Sequence, residues 1–277
     1  METRAGDDAE PPRGAGDDPL TTLLRAVRGG VDAVHERPAI VGVTGGVGVG
    51  KSVLAATVAD SLTTDEISPG VRPLTAAVVS TDGFLRTNAE LSELGLLDLK
   101  GIPPTYDQPA LFDFVRRIVA GSFPLEVPIY SHVRYDRLHD EVEVLDRVDV
   151  VILEGLTVLQ RVEVEPNGPP ASLADLIDVA IYIDANEEDT LEWWLQRFLR
   201  MRDEMAHDPE SFLHEYAGIS EAEARTMGDW VWDNINGPNL RDNIAPSKAA
   251  ADLVVTKGSD HSIIRVEQVR GPGSETT

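Results

Sequence analysis

The sequence predicts a three-layer α/β fold, with a mostly parallel central sheet flanked by helices. Three observations predict it. Short apolar runs alternate with helix-length patterns along the chain. The runs are continuously apolar and bounded by turn residues, as strands covered on both faces are. Residues of chemical interest fall just after the runs, where folds of this class bind ligands.

In chain order, residues 39–43 (AIVGV), 75–80 (TAAVVS), 148–153 (VDVVIL), 179–183 (VAIYI) and 253–256 (LVVT) read as buried strands. Residues 52–62, 109–119, 186–202 and 220–235 read as helices. The third opens with Asn186-Glu187-Glu188-Asp189, a capping residue followed by acids that suit a helix N-terminus. Residues 63–73 and 163–172, the second around PNGPP, read as surface loops. Residues 1–19 are poor in apolar side chains and rich in Asp, Gly and Pro, so a disordered acidic tail is expected there. Residues 20–270 read as one domain and 271–277 as a flexible tail.

The chain has 277 residues, 48 acidic and 24 basic, for a formal net charge of -24. Such a chain repels nucleic-acid phosphates, which argues against binding to DNA or RNA. It has no cysteine and therefore no disulfide framework. No apolar run approaches the roughly 18 residues that a membrane span requires. The start of the chain lacks the basic and apolar pattern of a signal peptide, so a cytoplasmic setting is expected. Only four residues are lysine: Lys51, Lys100, Lys248 and Lys257. A carboxylate-rich, lysine-poor surface also suits a salty cytosol.

After the first strand comes Gly45-Gly46-Val47-Gly48-Val49-Gly50-Lys51-Ser52, which matches G-x-x-x-x-G-K-[ST]. The glycines let the backbone curl so that its N–H groups face phosphate oxygens, and the following helix offers its positive end to the same anion. Lys51 is expected to reach the β- and γ-phosphates of ATP, and the Ser52 hydroxyl to hold Mg²⁺. The second strand runs into Ser80-Thr81-Asp82-Gly83. Asp82 is expected to face the γ-phosphate and to accept the proton of an attacking hydroxyl. The third strand ends at Glu154, a carboxylate suited to Mg²⁺ or its water. The helix over 186–202 carries Arg197 and Arg200 three apart, on one face. Arg197 is expected to stabilise charge on the transferred phosphoryl group.

These residues carry a resemblance. The chain resembles the bacterial type I pantothenate kinases, within the P-loop kinase group that includes uridine kinase and phosphoribulokinase. The matching stretches include GGVGVGKS (45–52), STDGF (80–84), KGIPPTYD (100–107), PIYSHVRYD (128–136), ILEGLTVLQ (152–160), RFLRMR (197–202), NINGPNLRDNI (234–244) and TKGSDH (256–261). The resemblance implies ATP-dependent phosphorylation of the primary hydroxyl of pantothenate, towards coenzyme A, by a homodimer. It implies Asp82 as the base, Arg197 at the γ-phosphate, Tyr130, His132 and Asn236 around the acceptor, and Lys257 and His261 near the adenine. Trp194 stands where the family has a substrate-binding tyrosine. Met201, the Gly237-Pro238 pair, Ala56 in place of a phosphate-loop-helix arginine, and Arg134 are further departures from the family pattern. The helices that help to cover the nucleotide in the family are expected to be partly missing at the N-terminus. Arg134 motivates a rival acceptor, a nucleoside or sugar phosphate, because an extra cation suits an anion. A nucleotide-binding regulator without catalysis is the alternative of a different class, and the presence of Asp82, Glu154 and Arg197 argues against it.

Overall fold

A computed structural model describes residues 18–64, 69–162 and 171–270. Residues 1–17 of the tail expected at 1–19, the tail at 271–277, residues 65–68 of the first loop and most of the second loop lie outside the described residues, and Asp18 and Pro19 belong to a helix start instead. Helix α1 (Pro19–Asp32) opens the fold, with Asp18 accepting from the Leu20 N–H at 2.9 Å and Pro19 in the first turn. Strand β1 (Ala39–Gly45), helix α2 (Lys51–Thr63), strand β2 (Ala76–Ser80), helix α3 (Asn88–Leu94) and helix α4 (Gln108–Val119) follow. Then come a hairpin, β3 (Leu125–Ser131) and β4 (Asp136–Leu145), and strand β5 (Val150–Glu154). Two short strands, β6 (Arg161–Val162) and β7 (Ala171–Ser172), precede β8 (Val179–Asp184). Helices α5 (Glu187–Met205) and α6 (Glu221–Val231) lead to β9 (Leu253–Lys257) and β10 (Ile263–Gln268).

The central sheet has six strands in the order β10-β9-β8-β1-β5-β2. All neighbours are parallel except the β9–β10 edge pair. Alternation along each strand divides the core in two. Val41, Val43, Ile152 and Ile181 face a core built with Leu23 and Val27 of α1 and Leu54 and Val58 of α2. Ile40, Val151, Leu153 and Ala180 face the opposite core, built with Leu111, Val115 and Ile118 of α4. The three layers follow from these two apolar faces, and all five anticipated strands lie in the sheet.

The register sets the site. Val43 and Ser80 both pair with Glu154, Gly45 pairs with Ile183, and Asp184 with Thr256. The carboxyl ends of β1, β2, β5, β8 and β9 therefore form one rim, from which the phosphate loop and the Thr81–Phe84 turn project.

The structure differs from the sequence reading in several places: it adds α3, the β6–β7 pair and the edge strand β10, and three further differences have a physical reason. The helix read over 220–235 holds α-helical geometry only to Val231 and continues in wide π-type turns at Trp232–Asn236 and Leu240–Ile244. Pro238 has no N–H to donate and crowds the preceding turn, which favours such widening. Helix α1 is an addition to the sequence reading, although Leu20, Leu23, Leu24, Val27 and Val31 give it an apolar stripe. The β3–β4 hairpin is another, because β4 is largely exposed and mixes Val142 and Val144 with acids rather than forming an apolar run.

Candidate active site

The phosphate loop joins β1 to α2 with Gly48 at φ 83° and Gly50 at φ 87°, left-handed conformations that glycine adopts freely. Gly48 has a second reason to lack a side chain. A Cβ there would stand 3.2 Å from the backbone nitrogen of Trp194, so the loop rests directly on α5. Lys51 points back over the loop and donates to the carbonyls of Gly46 at 2.9 Å and Gly45 at 3.2 Å. Burial pushes the Lys51 ammonium down; the charges of Glu154 and Asp82 push it back up, and Arg197 lowers it further. That coupling locates Lys51, Glu154, Asp82 and Arg197 in one electrostatic field.

Glu154 is 7% exposed and accepts from the Ser52 hydroxyl at 3.1 Å. A buried carboxylate beside a hydroxyl at the foot of the loop is an all-oxygen pair suited to Mg²⁺. Among the described residues, no cluster of three or more His, Asp or Glu could hold a metal by itself. The Ser52–Glu154 oxygen pair fits Mg²⁺, which takes one or two protein oxygens and completes its shell with phosphate and water.

Asp82 sits in the turn after β2, and its own N–H donates to the Ser80 hydroxyl at 3.3 Å. Gly83 beside it faces the hairpin, and a Cβ there would stand 2.0 Å from the Pro128 carbonyl. Only glycine lets β3 close on this turn. The hairpin thereby brings Tyr130 to the Asp82 side, and the His132 ring stands edge to face against it at 5.3 Å. Burial first, with the Asp82 charge among the further causes, raises the phenol pKa values of Tyr106, Tyr130 and Tyr135.

On the far side of the loop, Lys257 donates to the Val49 carbonyl at 2.8 Å. His261, in a left-handed conformation at φ 65°, stacks on Trp193 at 4.0 Å, and the Trp193 indole donates to the Ser259 carbonyl. Trp194 lies parallel to Phe198 at 5.5 Å, and its six-membered ring borders Gly228 of α6. Asn236 is half-buried on the first π-type turn, and no hydrogen bond among the described residues ties it to the Asp82 group.

Several residues here carry no signal that singles them out in the sequence. Lys100 is 8% exposed and donates to the Tyr135 carbonyl at 2.6 Å and to the Asn88 side chain. Its ammonium stands 4.5 Å from the Tyr135 ring centre and 5.4 Å from that of Tyr130. Burial pushes it down to about 8, against the pull of Asp136 and Asp82. The Tyr106 hydroxyl reaches Asp82 Oδ1 at 3.4 Å. Asn239, 3% exposed, donates to the Gly101 carbonyl at 2.9 Å, which fastens the wide-turn helix to this segment. The nearest thing to a clue is the KGIPPTYD stretch, a lysine and a tyrosine without helix or strand periodicity. Arg134 pairs with Glu210 at 2.9 Å, both side chains being exposed.

A phosphate loop, an oxygen pair for a divalent ion and a facing carboxylate form the site of a phosphotransferase. The Phosphoribulokinase / Uridine kinase family matches residues 40–223. The chain belongs to this family. It is 42% identical over 236 residues to a pantothenate kinase of Chelativorans sp. (strain BNC1), covering 85% of this chain and 72% of that one. A pantothenate kinase of Rhizobium johnstonii (strain DSM 114642 / LMG 32736 / 3841) is 41% identical, covering 84% and 69%. The chain is therefore a member of the pantothenate kinase branch of the family. Two solved structures share the fold. A protein proposed as a fructose transport system kinase, from Silicibacter sp. TM1040, gives a TM-score of 0.64 at 22% identity, covering 85% of this chain and 96% of that one. The YGR205w protein gives 0.61 at 16% identity, covering 91% and 98%. No described helix is long and apolar enough to cross a membrane.

Proposed function

We propose that this protein transfers the γ-phosphoryl group of ATP to the primary hydroxyl of pantothenate, with Mg²⁺, as a cytoplasmic homodimer. The observation that carries the kinase reading is the glycine-rich loop at the rim of the parallel sheet, with Lys51 folded over it and the Ser52 hydroxyl on Glu154 at 3.1 Å. About 40% identity to pantothenate kinases over most of the chain supports the choice of acceptor.

The loop amides and the α2 N-terminus receive the phosphates, and Lys51 turns from its own loop carbonyls to the β- and γ-oxygens. Ser52 and Glu154 would hold Mg²⁺, which when bound neutralises phosphate charge. Asp82 orients the acceptor hydroxyl and takes its proton as the acceptor oxygen bonds to the γ-phosphorus. The bridging oxygen leaves with its electron pair on ADP. Arg197 offsets the charge spread over the transferred group. Tyr130, His132, Trp194 and Asn236 shape the acceptor side, while Lys257 and His261 border the adenine. Catalysis is mainly positioning and electrostatics.

The deciding experiment offers ATP with a panel of hydroxylated metabolites, including pantothenate, nucleosides and sugar phosphates, and reads products by mass spectrometry. Phosphopantothenate is the expected product. Phosphorylation of another panel member without pantothenate turnover would reassign the acceptor, and no turnover of any member would remove the kinase reading.

A further inference from the structure

The KGIPPTYD stretch contributes a side chain that the reaction described above does not use. Tyr106 is 1% exposed and is among the largest fully buried side chains of the protein. A buried phenol keeps its hydroxyl satisfied by a specific partner. For Tyr106 that partner is Asp82, through Oδ1 at 3.4 Å.

The backbone makes this approach reproducible. Leu85 and Tyr106 form an antiparallel bridge. On either side of it, the Arg86 N–H donates to the Thr105 carbonyl at 2.9 Å, and the Asp107 N–H to the Phe84 carbonyl at 2.8 Å. The segment that follows Asp82 is thus zipped to the segment that carries Tyr106. The second segment is braced in turn. The Thr105 hydroxyl accepts from the Gly101 N–H at 3.0 Å and donates to the Ile102 carbonyl at 2.7 Å. The Tyr106 N–H donates to the Pro103 carbonyl at 3.2 Å. Few backbone torsions separate the phenol from the carboxylate it touches.

We infer that Tyr106 is a positioning residue for the phosphoryl transfer: its hydroxyl tethers one oxygen of Asp82 and leaves the other facing the acceptor hydroxyl. The inference rests on the reading of Asp82 as the base. A carboxylate rotates readily about its last side-chain bond, and only some rotations present an oxygen to the incoming hydroxyl. Tyr106 is suited to the task because burial, and then the Asp82 charge, raise its pKa well above that of an ordinary phenol, so it keeps its proton and always donates. The distance fixes the kind of effect. At 3.4 Å the contact is longer than the usual 2.5–3.0 Å for such a pair, so it biases orientation more than it draws charge from the carboxylate. The consequence is a change in turnover with little change in binding. Lys51, Lys100, Tyr130 and Tyr135 also act electrostatically with Asp82, but no hydrogen bond of theirs to it is found among the described residues.

The test is a kinetic cycle over Tyr106→Phe, Asp82→Asn and the double variant, with each rate normalised to the fraction that binds ATP. Tyr106→Phe is expected to lower kcat on the order of ten-fold, with the KM values for acceptor and ATP within about two-fold of wild type. In the Asp82→Asn background it is expected to cost nothing further, because the group it positions is gone. An unchanged kcat, a raised KM alone, or the same fractional loss in both backgrounds would overturn the positioning role. Wild-type turnover in Asp82→Asn itself would instead overturn the base and the inference with it, an outcome that the single variant reads independently. Thermal melting of each variant separates lost folding from lost turnover, and a lower melting temperature with full kcat per folded molecule also counts against the role.

Discussion

Asp82 and Lys100 lie on the same side of the site but respond differently to change. Asp82→Asn keeps the shape of the side chain and removes the proton acceptor. It is expected to retain ATP affinity and lose at least about a hundred-fold in turnover, which isothermal titration and a coupled assay would read together. Lys100 has a pKa pushed down to about 8 by burial, so it is a cation below that pH and loses its charge as pH rises through it. A carboxylate-bearing acceptor then loses a nearby positive charge. The acceptor KM is expected to rise above pH 8, and Lys100→Met is expected to raise KM at neutral pH and abolish that limb. The folding consequence has its own sign. Lys100 binds its proton more weakly when folded than at the unfolded value of 10.5, so its burial disfavours folding below about pH 8 and this penalty is relieved between the two values. At this scale the phosphate loop is legible in the sequence because its eight residues are contiguous and one mechanism explains them. Asp82 and Glu154 are legible because they follow apolar strands. Lys100, Tyr106 and Asn239 are not, because their roles arise from pairing between segments about twenty or more residues apart.

Between elements, the decisive contact is the phosphate loop on α5. A Cβ on Gly48 would meet both the nitrogen and the Cα of Trp194, at 3.2 and 3.3 Å, and backbone cannot step aside as a side chain can. The left-handed φ of 83° adds a cost of about 1 kcal/mol or more for any other residue. Gly48→Ala is expected to weaken ATP binding by ten-fold or more with a smaller loss of melting temperature, measured by calorimetric titration and thermal shift. The same contact ties the loop to Arg197, one turn along α5 from Trp194. The order of strands and helices follows from apolar runs and their spacing, and five strands are readable for that reason. The hairpin is hidden because only Leu125, Val127 and Leu145 of it join the core, too few for an apolar run, and Gly83 against Pro128 is a close approach that no periodicity announces. The widening after Val231 is hidden because Pro238 lies well beyond the point where the helix changes.

Over the whole molecule, charge is distributed by purpose. The net charge is -24, yet Lys51, Lys100, Lys248 and Lys257 all make hydrogen bonds at the carboxyl end of the sheet or the segments closing over it. Lys248 pairs with Asp184 at 2.6 Å, at the end of β8. Elsewhere the basic residues are arginine, and many pair with acids: Arg28 with Asp32, Arg37 with Asp178, Arg72 with Asp149. Such a surface repels itself, and salt screens that repulsion over about 10 Å at 0.1 M. Raising KCl from about 0.05 M to 1 M is therefore expected to raise the melting temperature by several degrees. A thermal-shift series would check this, and a flat or falling series would show that surface repulsion does not limit the stability of the fold.

The confinement of lysine to one end of the fold makes the protein selective towards reagents that attack primary amines. Acylating agents usually scatter over a protein's exterior and reveal little about where it works. Here Lys51, Lys100 and Lys257 border the phosphate loop or the Asp82 side, and Lys248 alone stands apart, held by Asp184 at the end of β8. Bound ATP should shield Lys51 and Lys257, while Lys248, its side chain exposed and paired with Asp184, should react in either state and serve as the internal reference.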